Sequence, residues 1–149
     1  MIETLPKISI DTGSGYSMCF GCGQDNPIGL KLSFQRDGKT ARAEFTPKSV
    51  YQGWSGIVRG GITICLLDEA MSYAALFGGM KVTAEMQTRI RCVASVDQSL
   101  IIIAYVSRKT RKLVRIKAAT VLNDGTLVAE NPAVRFVVSV VDGKSGNGA

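Results

Sequence analysis

GIVRGGITICLLDEAM, residues 56–71, decides the reading of this chain. Two glycines, Gly60 and Gly61, open an apolar run, and two adjacent acids, Asp68 and Glu69, interrupt it. Carried on to Phe77, the run leaves little polar face, and Gly78-Gly79 supply a stop, so the pattern predicts a helix over 60–77. A helix apolar nearly all round belongs at the centre of its domain. An ionised carboxylate there is expensive unless it is paired. Asp68 shares a side with Ile64, Cys65, Met71 and Ser72. Glu69 points about 100° further round the axis, so the two acids serve different places. Two readings stand. One is a structural ion pair, for example with Arg89 or Arg91; the other is a general base with its pKa raised by partial burial.

Outward from the helix the pattern is β. LKLSFQRDGKTARAEFTP (30–47) alternates apolar and polar residues about Asp37-Gly38, the signature of a hairpin. Strand-like runs follow the helix over 82–96, 99–109, 113–123 and 127–140, with Asn123-Asp124-Gly125 as a second hairpin turn. One long helix against an antiparallel sheet is an α+β arrangement. Residues 1–18 read as an irregular lead-in, 19–141 as one domain without repeats or linkers, and 142–149 as a disordered tail.

The 149 residues, 46% hydrophobic and 20% charged, suit a single soluble domain with a real core. No run reaches the roughly 18 apolar residues of a membrane span, and no secretory signal is visible, so the cytoplasm is the expected location. The net charge of +6 favours anionic partners. Aromatic residues are only 7% and do not alternate with the basic ones, so a nucleic-acid stacking platform is not expected. Histidine is absent, which removes Ser-His-Asp and Cys-His nucleophiles and histidine-ligated metals. Cys19 and Cys22 form one C-x-x-C in MCFGCG. A complete zinc site needs a second pair or histidines; half a site shared across a symmetric dimer and a redox dithiol are the lesser readings, and the expectation is a glycine-rich turn with packed thiols and no metal.

The glycines bear on the acids. The first N–H groups of a helix have no internal partner and point outward at its positive end, where glycine lets a ligand come close. Such an end holds a phosphate or a developing oxyanion; the alternative is that Gly60 and Gly61 only allow a tight entry into the helix. Gly60 and Asp68 are about 12 Å apart along one helix, whereas groups acting on one carbonyl lie within roughly 3 Å of their targets. A site using both must therefore be built from two antiparallel copies of the helix, across a two-fold dimer.

YQGWSGIVRGGITICLLDEAM (51–71) closely resembles the signature of hotdog-fold acyl-CoA thioesterases of the PaaI type, and CFGCGQDNPIGLKLSF (19–34) resembles a subset of them. The match runs from about Cys19 to Phe136. The resemblance implies one long central helix wrapped by a curved antiparallel sheet, assembled as a homodimer or homotetramer. It implies an acyl-CoA substrate and no separate cofactor, coenzyme A being part of the substrate. It makes Gly60 the amide donor to the thioester oxygen, Asp68 the general base or nucleophile, and Thr83 the hydroxyl orienting the water or the carboxylate. Gln52 matches a polar side chain that contacts substrate, and Gly61 and Arg59 complete the binding loop. Trp54, Tyr73 and Phe77 are candidates to line an acyl pocket. The departure is Arg59, which stands where the family has His before Gly-Gly, and the alternative it opens is a non-catalytic acyl-CoA binding module.

Overall fold

The computed structural model describes residues 9–10, 16–75, 82–110, 113–137 and 141–142. The elements in chain order are β1 (Ser9–Ile10), β2 (Gln35–Asp37), β3 (Thr40–Phe45), a 3-10 turn (Ser49–Tyr51), α1 (Gly60–Ala74), β4 (Val82–Met86), β5 (Arg89–Ile90), β6 (Leu100–Lys109), β7 (Leu113–Leu122), β8 (Leu127–Val137) and β9 (Val141–Asp142). The lead-in contributes β1, paired in parallel with β9. The rest form one antiparallel sheet in the order β2-β3-β6-β7-β8-β4, with β5 also on β8. One helix on one seven-stranded sheet is the α+β architecture expected. Among the described residues no helix is long and apolar enough to cross a membrane.

Both turns form as their local chemistry requires. Asp37 pairs with Thr40 across the first. At the second, Gly125 takes φ +88, a left-handed conformation that glycine adopts without a Cβ penalty. The Asp124 carboxylate accepts from the Thr126 amide there at 2.8 Å. The first hairpin is shorter than its alternation suggests. Leu30 and Leu32 are buried in alternation with exposed Lys31 and Ser33, yet only Gln35–Asp37 join the ladder. The Leu32 amide donates instead to the carbonyl of Gly21. Phe34 stacks on Tyr73 of the helix, ring centroids 4.8 Å apart. Packing on the helix produced the alternation, without a strand partner.

Thr63, Leu66, Leu67, Ala70, Met71 and Ala74 recur at three- and four-residue steps and form the buried face of α1. They lie against Leu100, Ile102, Val114, Ile116 and Val128 of the sheet, all within 1% of complete burial. Each of these large side chains contributes roughly 1.5–3 kcal/mol on burial. Ala41, Ala104 and Ala118 are buried and directly opposite one another on β3, β6 and β7. This low row lets the helix settle onto the sheet. The opposite side of α1, with Cys65, Asp68, Glu69, Ser72 and Tyr73, is only half-buried, so within one protomer the helix is less enclosed than its composition suggests. It runs to Ala74, and Gly78-Gly79, like Phe77 and the tail from residue 143, lie outside the described residues.

Pro132 sits inside β8, where a missing N–H would break a ladder. On one side the partner strand is interrupted there, β4 ending at Met86 opposite Val134 and β5 beginning at Arg89 opposite Glu130. On the other side the β7 register slips between Ile116 and Ala118. The proline occupies the one stretch of β8 where both ladders are broken, and this splits the expected 82–96 strand into two short pieces.

Candidate active site

The loop before α1 is held by its own backbone. Gln52 and Val58 form an antiparallel bridge, and Ile57 bridges to Ser95. The Val58 amide donates to Ala94 at 2.9 Å and the Arg59 amide to Tyr51 at 3.0 Å. The Tyr51 hydroxyl donates to the carbonyl of Gly29 at 2.7 Å. The Gln52 side chain is exposed, and its Oε1 accepts from the Gly56 amide at 3.0 Å, so it braces the loop's own turn. Arg59 is the residue at the helix N-terminus, and its carbonyl accepts from Ile62 at 3.0 Å and from Thr63 at 3.2 Å. Its side chain is exposed and caps nothing.

Neither Gly60 nor Gly61 has a positive φ. A Cβ on Gly60 would meet only Ile90 Cδ1, at 3.4 Å, and a Cβ on Gly61 would meet nothing within 4 Å. The tight-entry explanation therefore has no support within the protomer, because neither backbone conformation nor crowding calls for glycine here. The amides of both residues have no acceptor among the described residues. Gly60, but not Gly61, lines a cleft of about 300 Å³, together with Trp54, Arg59, Thr63, Ile90 and Val93. Trp54, Ile90 and Val93 are apolar yet 87%, 50% and 66% exposed on its rim.

Asp68 lies two turns along the same helix and does not line this cleft. Thr83 Oγ1 of β4 donates to Asp68 Oδ1 at 2.9 Å. Arg91, offered by the sequence as a brace for the helix acids, pairs with Glu130 at 2.7 Å instead. Glu69, half-buried, turns to the N-terminal turn, where Cys19 Sγ donates to its Oε1 at 3.5 Å. Burial pushes the Glu69 carboxyl above its ordinary value of 4.5; the Cys19 thiol offsets part of this and Asp68 adds to it. Burial likewise pushes the Cys65 thiol up to about 11. Of the sequence-expected residues, the structure brings Asp68 to Thr83 and Arg59 to Gly60, and it keeps the two groups apart in one protomer. Trp54 is at the cleft, whereas Tyr73 packs on Phe34 at the other end of the helix. Ile90 and Val93 were not singled out by sequence, since exposure of an apolar residue leaves no local signal.

No family model matches the chain, and no curated protein does so. Solved structures match it with confidence. A thioesterase superfamily protein is 21% identical with a TM-score of 0.75, over 91% of this chain and 68% of the other. The PaaI protein of the E. coli phenylacetic acid degradation operon is 17% identical with a TM-score of 0.68, over 72% of this chain and 79% of its own. A hypothetical thioesterase protein of Streptococcus pneumoniae, solved with coenzyme A, is 16% identical with a TM-score of 0.68, over 74% of this chain and 90% of its own. The chain has the hotdog fold, in the form seen in PaaI-like thioesterases.

Proposed function

We propose that the protein hydrolyses an acyl-CoA thioester to the free acid and coenzyme A, at a site shared by two protomers of a homodimer or a dimer-built tetramer. The observation that carries this is the open start of α1. Gly60 lines a cleft, its amide and that of Gly61 have no acceptor among the described residues, and nothing within the protomer calls for their lack of side chains. A thioester carbonyl approaching that backbone does call for it.

In this reading the Gly60 amide of one protomer donates to the thioester oxygen. Asp68 of the partner subunit, oriented through Oδ1 by Thr83, takes a proton from water as the water attacks the carbonyl carbon. The tetrahedral intermediate then expels the CoA thiolate, which recovers that proton, and Asp68 is regenerated. Direct attack by Asp68 would pass through an anhydride, and ¹⁸O found in the protein after a single turnover in ¹⁸O-water would identify that route, with water opening the anhydride at the Asp68 carbonyl. Arg59, exposed and permanently charged at the cleft, serves an anionic part of the substrate such as a CoA phosphate. Support also comes from the Streptococcus pneumoniae protein, for which CoA-bound, aspartate-to-alanine and threonine-to-alanine structures exist. Its two replaced residues are about as far apart in sequence as Asp68 and Thr83.

The test is thiol release from a panel of acyl-CoAs. Turnover by the wild type, reduced about 10²–10⁴-fold in Asp68→Asn, is the expected result. The second reading, an acyl-CoA binding module, is favoured by Arg59 in the family's histidine position. It predicts saturable binding, no thiol release, and no change in Asp68→Asn.

A further inference from the structure

The C-x-x-C turn and the second helix acid are not used by the proposed reaction, and they meet. Cys19 Sγ, Cys22 Sγ and a Glu69 carboxylate oxygen lie within 4.8 Å of one another, all three half-buried. We propose that these residues bind a zinc ion, which clamps the N-terminal turn to α1.

The ligand set suits a borderline-soft divalent cation. Two thiolates select zinc over magnesium or calcium, and three protein ligands leave one tetrahedral position for water. The spacing fits as well. Zinc with Zn–S of about 2.3 Å and Zn–O of about 2.0 Å holds tetrahedral donors about 3.5 Å apart. Cys19 Sγ and Glu69 Oε1 are 3.5 Å apart.

The turn is shaped in advance for this meeting. Its backbone closes on itself, with the Cys19 amide donating to Tyr16 at 3.0 Å and the Gly23 amide to Cys19 at 2.8 Å. A Cβ on Gly21 would collide with Glu69 Cγ and Cδ, and one on Gly23 with the backbone of Ser17 and Cys19. Unlike Gly60 and Gly61, these glycines are required by close approach inside the protomer, and what approaches Gly21 is the Glu69 carboxyl itself. Tyr73, one turn beyond Glu69, lies beside Cys22 and stacks on Phe34.

The charge argument agrees. Among the described residues, the groups acting on the Glu69 carboxyl are Cys19, Cys22 and Asp68, none of them a cation. Two thiols and a carboxyl gathered with no counter-charge among the described residues are costly to ionise. A divalent cation supplies that charge, displaces the two thiol protons to solvent and is itself held by three anionic donors.

The test uses the full chain, reduced and stripped with a chelator, then titrated with Zn²⁺ or Co²⁺ alone. About one metal per protomer is expected by mass spectrometry, with a thiolate-to-cobalt charge-transfer band and tetrahedral ligand-field bands for Co²⁺. Cys22→Ser and Glu69→Gln should each weaken binding at least about tenfold, while Cys92→Ser, altering a thiol that donates to Leu127, should not. The wild-type cobalt spectrum requires no variant to fold. Absence of stoichiometric metal at micromolar concentration with both thiols reduced overturns the proposal. So does equal affinity in Cys22→Ser, or a Cys19–Cys22 disulfide as the stable state in the presence of zinc. None of these outcomes depends on thioester turnover.

Discussion

Asp68 and Glu69 are neighbours in sequence with separate lives. One is held by a hydroxyl from β4, the other faces a pair of thiols, and about 100° of helical rotation is what separates them. The glycines divide in the same way. Gly21 and Gly23 are demanded by contacts inside the protomer, Gly60 and Gly61 by none. This contrast makes Gly60→Ala informative. The added methyl meets only the tip of Ile90, so thermal stability should hold or rise by at most about 1 kcal/mol. On the proposed mechanism turnover should fall about 10²-fold, because the methyl would stand where the thioester oxygen approaches. A variant that loses stability and activity together would return Gly60 to a structural role.

At the scale of elements, the helix and sheet meet through a graded surface. The alanine row of β3, β6 and β7 takes the helix, and the next row is Ala43, Ile102 and Thr120. Thr120 is fully buried and its hydroxyl has no hydrogen-bond partner among the described residues. An unpaired buried hydroxyl costs about 1–3 kcal/mol. Thr120→Val keeps the branched shape and removes that cost, so it should raise stability by about 1 kcal/mol, or about 3 °C in melting temperature. Urea denaturation and a thermal melt check this, and a fall in both would mean that the hydroxyl has a partner. Asn131, equally buried, shows the opposite case, accepting from Thr88 at 2.6 Å and donating to Met71 Sδ at 3.4 Å.

For the whole molecule, the separation of Gly60 from Asp68 along one helix is the governing fact. Trp54, Ile90 and Val93 stand exposed around the helix start, an apolar rim suited to a second protomer. If each site takes Gly60 from one chain and Asp68 from the other, Asp68→Asn and Gly60→Val should both be inactive alone. Refolded together in equal amounts they should recover about a quarter of wild-type activity, since half of the dimers are mixed and each mixed dimer has one intact site. A site confined to one chain recovers nothing. A second expectation belongs to the rim, where Val93→Asp should convert the assembly to monomer in sedimentation and abolish turnover without unfolding the chain.

Much of the fold was legible in the chain. Asp-Gly turns, the glycine-led helix and the alternating runs are local signals, written in residues that touch their neighbours in sequence. The shortened first hairpin and the divided strand about Pro132 were not, because they depend on what each segment packs against. The site was half legible. The sequence offered both Asp68 and Thr83, and a hydrogen bond of 2.9 Å joins them. The cleft rim, the Arg91–Glu130 pair and the meeting of Glu69 with Cys19 join residues far apart in the chain. By itself the sequence determined which elements form and where the two acids lie on the helix, since backbone preference and periodicity act over a few residues. Only the tertiary structure decided which acid faces which partner, because long-range contacts follow from how the sheet curves round the helix, and no local pattern encodes that.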